Sequence, residues 1–154
     1  MIYTAFLLLH SWFRWILLIS LLYLIVRAFR SWKTQQEFSS KDNTLRHLVA
    51  TFAHIQLLFG IGLYLTSPIS GYFMTHFKEA VHIREIRFFG LEHSVTMLFA
   101  VFVITLGSMI AKRQNTHDSK FRTIVIWYTI ALLPILIAIP WEFSPFISRP
   151  FFRF

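Results

Sequence analysis

Arg87-Phe-Phe-Gly-Leu-Glu92-His93-Ser-Val-Thr-Met97 opens an apolar run that continues without a charge to Lys112. Such a run supplies the ~20 residues a membrane-crossing helix needs, and it carries an acid and an imidazole in its first turns. Ionisable groups at that depth are costly and are by default functional. Two more histidines, His10 and His54, lie inside separate apolar runs and pose the same question.

Four spans can be drawn around this stretch: about 3–26, broken only by Arg14; about 47–66, stopped by Ser67-Pro68; about 88–111; and about 123–139, ended by Pro140. The fold class this predicts is all-α, an integral membrane four-helix bundle forming one domain over residues 1–154. Composition agrees. Hydrophobic residues are 56% of the chain and aromatic residues 18%, more than a small soluble core can hide. The first residues lack a basic n-region and a cleavage motif, so they read as part of the first span and not as a signal peptide.

The net charge is +8. The basic residues flank apolar runs, so they signal topology and not nucleic acid. Arg27, Arg30, Lys33, Lys41, Arg46, Lys112, Arg113, Lys120 and Arg122 fall in the two loops of one side; Lys78, Arg84, Arg87, Arg149 and Arg153 fall on the other. The side richer in Lys and Arg faces the cytoplasm, which puts both termini outside it. Between spans two and three, Phe73, Phe77, Val81 and Phe88 recur at helical spacing among charges, predicting an interfacial amphipathic helix at about 73–86. The aromatic, proline-rich tail at 140–154 is expected along the outer headgroup layer or against a neighbour.

Depth sorts the histidines. At 1.5 Å per residue, His10 lies roughly 25 Å above Arg27 and His93 roughly 28 Å above Lys112, so both sit near one outer level. His54 lies only about 12 Å above Arg46, and higher if the inner edge is nearer Asp42. Gly60 and Gly62 fall at the outer level on span two, either as a helix-packing surface or as a smooth wall for something flat. Two imidazoles at one height on different helices, beside a glycine wall, fit a haem slotted into the bundle. Arg14, one turn below His10, would then neutralise a propionate, with Arg84 and Arg87 as alternatives; equally, Arg14 pairs with Glu92. Glu92 or Gln56 would orient an imidazole or handle a quinone proton. Met97, one turn below His93, is core or packs on a macrocycle. His47, His76, His82 and His117 fall near boundaries and read as solvated.

A rival is a non-haem metal held by His10, His54, His93 and Glu92. With no cysteine in the chain, disulfides, iron–sulfur clusters and c-type haem attachment are excluded. HExxH, GxSxG, P-loop and GxGxxG patterns are absent.

Several blocks fall in one order: His10-Ser-Trp-Phe-Arg14-Trp15, His54-Ile-Gln56 leading to Gly60-Ile-Gly-Leu-Tyr64, Arg87 through Glu92-His93 to Met97, Ala111-Lys112-Arg113, and Ile139-Pro140-Trp141. In these the chain resembles small bacterial four-helix inner-membrane proteins labelled cytochrome b-like. The resemblance implies a multi-pass protein of the bacterial inner membrane, b-type haem and redox work, with His10, His54 and His93 as candidate ligands. The expectation is an electron carrier or redox subunit more than a stand-alone enzyme, exchanging single electrons with a quinol or a membrane partner. An accessory subunit packed in a larger membrane complex, or a homo-oligomer, is the alternative.

Overall fold

The computed structural model describes residues 1–144, 147 and 149 of the chain; much of the aromatic tail expected at 140–154 lies outside the described residues. Four helices are long and apolar enough to cross a membrane: Ile2–Lys33, Ser40–Thr66, Arg84–Arg113 and His117–Ala138. We label the elements α1 (Ile2–Lys33), α2 (Ser40–Thr66), α3 (Pro68–Thr75), α4 (Phe77–Ala80), α5 (Arg84–Arg87), α6 (His93–Arg113) and α7 (His117–Ala138), with a π-helical turn at Phe88–Glu92 joining α5 to α6. Among the described residues there is no strand.

Local chemistry sets the helix ends. Ser39 caps α2 in a capping box with Asp42, each side chain accepting from the other's backbone N–H. Asp42 also accepts from Arg27 Nε at 2.6 Å, which ties the end of α1 to the start of α2. The second helix therefore starts at Ser40, about two turns before the expected 47. Thr116 caps α7 through Ser119 N–H. His117, expected to be solvated, accepts from Phe38 N–H at 2.9 Å and holds the first inner loop against α7.

The early start of α2 changes the role of Arg46. Counted among the loop cations in the sequence, it is 4% exposed. Its Nη1 donates to Ser108 O at 2.9 Å and to Ser108 Oγ, while Nε and Nη2 donate to Asn43 Oδ1. Tyr128, fully buried, donates its hydroxyl to Arg46 O. This network joins α2, α6 and α7 near the start of α2 and satisfies a buried cation with oxygen dipoles.

The long helices form a ring in which α1 packs on α2 and α7, and α6 packs on the same two. Helices α1 and α6 therefore face each other across the diagonal. The half nearer the α1–α2 and α6–α7 loops is filled by Leu21, Leu24, Val49, Ile104, Phe121, Ile124 and Tyr128. Gly107 lets α6 approach α7: a Cβ there would lie 2.3 Å from Trp127 Cβ. The single amphipathic helix expected at 73–86 is instead three short pieces, because the backbone leaves helical geometry at His76 and again at Ile83. They cap one end of the bundle, with Phe73 buried against Gly90.

Gly107→Ala is expected to cost roughly 1–3 kcal/mol by overpacking, since Trp127 Cβ is fixed to its backbone. Gly71→Ala, where a Cβ meets nothing within 4 Å, should leave stability unchanged or slightly raised. Thermal unfolding in detergent followed by circular dichroism separates the two; equal melting temperatures would contradict the close α6–α7 crossing.

Candidate functional site: a diagonal histidine pair around a cavity

Toward the end of the bundle away from the α1–α2 and α6–α7 loops, the helices leave a cavity. It has a volume of about 530 Å³ and lies between the diagonal helices, lined by His10 and Arg14 of α1, Gln56 and Gly60 of α2, and His93 and Met97 of α6. The imidazole rings of His10 and His93 are 6.3 Å apart centre to centre, their planes inclined by 72°. The shared level expected from the residue counts is met.

His93 is aimed by two irregularities of the chain. The π turn inserts one extra residue per turn, which rotates everything downstream by ~100° around the helix. Its looser ladder leaves Gly90 O to accept from Tyr64 O–H at 2.9 Å. At the far end of the bundle's fourth helix, α7 stops at Ala138 ahead of Pro140, so the Ala138 carbonyl has no partner in its own helix. His93 Nδ1–H donates to that carbonyl at 2.8 Å. Only the Nε2 lone pair is then left for the cavity. Phe88 and Phe89, themselves 5.0 Å apart, lie on one side of the ring at 5.8 and 6.2 Å.

His10 is held by a different device. Gln56 Nε2 donates to the His10 carbonyl at 3.0 Å and reaches His10 Nδ1 at 3.2 Å. A carbonyl can only accept, so the nitrogen end of the amide must face it. The same NH₂ group then donates to Nδ1, which places the proton of a neutral His10 on Nε2. Gln56 Oε1 is left buried with no hydrogen-bond partner. Gly60 backs the ring: a Cβ there would lie 3.3 Å from His10 Cε1.

Other expected residues lie elsewhere. His54 is exposed, donates from Nδ1 to Ala50 O at 2.7 Å, and meets the Thr105 hydroxyl at Nε2. Thr105 is twelve residues beyond His93 along α6, roughly 18 Å away along the axis, so His54 serves a different level. Gly62 is a packing glycine, its Cβ position 2.5 Å from the Phe6 ring. Glu92 is turned out of the bundle by the π turn and pairs with Arg87 at 2.7 Å, so it neither orients His93 nor meets Arg14 there. Arg87 also donates to Val81 O. Arg84 is exposed, and neither it nor Arg87 lines the cavity. Among the described residues no three His, Asp or Glu side chains converge, so the four-ligand centre from His10, His54, His93 and Glu92 is not formed.

The sequence reading missed two participants. Ala138 contributes only its carbonyl, which no residue type announces. Arg149 comes from the tail, pairs with Glu85, lies 5.2 Å over the Phe89 ring and lines the cavity. Trp141 is anchored just past α7, donating Nε1–H to Leu136 O at 2.7 Å and meeting Trp15 edge-on. Arg14 stands over the Trp15 ring at 5.2 Å.

Fold and cavity together define a helical bundle of membrane-crossing proportions in which two imidazoles converge on an interior space. No protein-family model, curated protein or solved structure matches the chain.

The two rings should be opposite tautomers. Nitrogen-15 NMR of histidine-labelled apoprotein in detergent is expected to show His93 protonated at Nδ1 and His10 at Nε2; the same tautomer at both positions would contradict the hydrogen bonding described.

Proposed function

We propose that this chain holds a b-type haem between His10 and His93 and carries single electrons in a bilayer. The observation behind this reading is the spacing of the two rings across the diagonal, 6.3 Å between centres. Two metal–imidazole bonds of about 2 Å each, plus roughly 1.1 Å from nitrogen to ring centre on each side, give about 6 Å. The cavity between them is in the range of pockets that hold a cofactor-sized ligand, about 300–1,000 Å³. Its wall is largely apolar, with Gly60 smooth on one side and Met97 one turn below His93.

Each residue has a task. His93 and His10 would hold the haem through their imidazoles. Arg14 and Arg149, the charged groups on the wall, are both cationic and would balance propionates. Ala138 O holds the His93 ring in the tautomer that presents Nε2. When bound, haem supplies a one-electron couple whose potential is tuned by burial and neighbouring hydrogen bonds.

Ile61 and Leu65 of α2 and Val95 and Leu98 of α6 line the cavity and are also exposed. The cavity thus opens sideways between these helices, toward what would be lipid. That route suits a lipid-soluble partner of the quinol class, or a membrane redox protein, over a water-soluble one. The excess of basic residues at the inner end supports both termini outside the cytoplasm, with α3–α5 at the outer interface of a bacterial inner membrane. The resemblance to cytochrome b-like four-helix proteins supports the same reading.

Protein purified in mild detergent and loaded with hemin is expected to bind about one haem per chain, one site per histidine pair, and to show a b-type α band in its reduced-minus-oxidised spectrum. His93→Ala should abolish stable binding; His54→Ala should leave the spectrum intact. A colourless protein after hemin titration would overturn the reading, and stoichiometric membrane partners in the same preparation would favour an accessory subunit instead.

A further inference from the structure

We infer that the two imidazoles are inequivalent toward the iron: His93 is the fixed ligand and His10 the releasable one, so the face under His10 admits small uncharged diatomic molecules. The inference rests on the haem reading above and deepens it.

His93 needs no rearrangement to ligate. Its Nδ1–H already has a backbone acceptor in Ala138 O, and its Nε2 lone pair is the atom left for the cavity. Phe88 and Phe89 pack together against one side of the ring, and the π turn that precedes it is pinned by Tyr64 and by Phe73 on Gly90. Nothing in this arrangement favours letting go.

His10 is set up the other way. Gln56 donates to its Nδ1, which favours a proton on Nε2, the atom that must bind metal. Ligation requires that proton to move to Nδ1. Gln56 must then turn its oxygen toward the new N–H, giving up the 3.0 Å bond to the His10 carbonyl. The partnerless Gln56 Oε1 is the acceptor this second state would use. Two arrangements of one amide therefore correspond to His10 on and His10 off. The ring backs onto a glycine, so no side chain at position 60 pins it. Gln56 is a positioning residue: it acts through His10.

The exchange balances. The bond between iron and His10 Nε2 breaks, the ring proton returns from Nδ1 to Nε2, and the lone pair of the diatomic ligand takes the vacated position. No electron is gained or lost and no net proton is taken up.

Carbon monoxide is the probe. Dithionite-reduced, haem-loaded full-length protein is expected to bind it with a shift of the Soret and α bands. In His10→Ala binding should be faster, since no imidazole has to leave. In Gln56→Glu the carboxylate accepts from Nδ1–H and holds His10 on, so binding should be about tenfold slower, the scale of one hydrogen bond. His93→Ala should lose haem instead of binding carbon monoxide faster. A wild-type protein with an intact b-type spectrum that ignores carbon monoxide would overturn the inference alone, and so would His10→Ala and His93→Ala behaving alike. A protein that binds no haem would overturn both readings.

Discussion

A single hydrogen bond from a side chain to a helix end organises the half of this molecule that holds the cavity. His93 Nδ1–H reaches the carbonyl that α7 leaves unpaired where it stops at Ala138. Terminal carbonyls in an apolar setting must find a donor, and here the start of α6 provides one. The bond locks the end of α7 to the start of α6, fixes one tautomer and points the other ring nitrogen across the bundle. Were His93 a residue without that donor, the carbonyl would be stranded and the ring's place on the diagonal would go unfilled.

The two halves of the bundle are built on different terms. Near the α1–α2 and α6–α7 loops, packing is close: Gly107 brings α6 against Trp127, and Arg46, Ser108 and Tyr128 tie three helices through satisfied polar contacts. Toward the opposite end, a cavity opens between α1, α2 and α6, with the His10 and His93 rings on its wall. The packed end holds those two side chains edge to face across the diagonal. Interiors otherwise pack densely and leave few voids, so a cavity of this size needs a reason, and the imidazoles on its wall give one.

Much of this was legible in the sequence and some could not be. The four spans follow from apolar run length, and the common level of His10 and His93 follows from counting residues up from the inner charges. Arg46 misled as a boundary marker because the Ser39–Asp42 capping box starts α2 early and carries it inside. His54, set apart by depth in the residue counts yet kept as a candidate ligand, has its ring taken up by Ala50 O and Thr105. The outward turn of Glu92 depends on a π turn, for which the run Phe88–Glu92 carries no recognisable signal. Backbone participants such as Ala138 are invisible by residue type, although the Pro140 stop that frees its carbonyl is not. Arg149 was read with the tail as a surface feature, and nothing in its sequence neighbourhood announces a place on the cavity wall.

The central claim is that His10 and His93 reach the same iron from opposite sides. Electron paramagnetic resonance of the oxidised, hemin-loaded protein tests it most directly. Two imidazole planes inclined by 72° should give a low-spin ferric signal of the strongly anisotropic kind that crossed axial rings produce. A high-spin ferric signal, or none from bound haem, would contradict it.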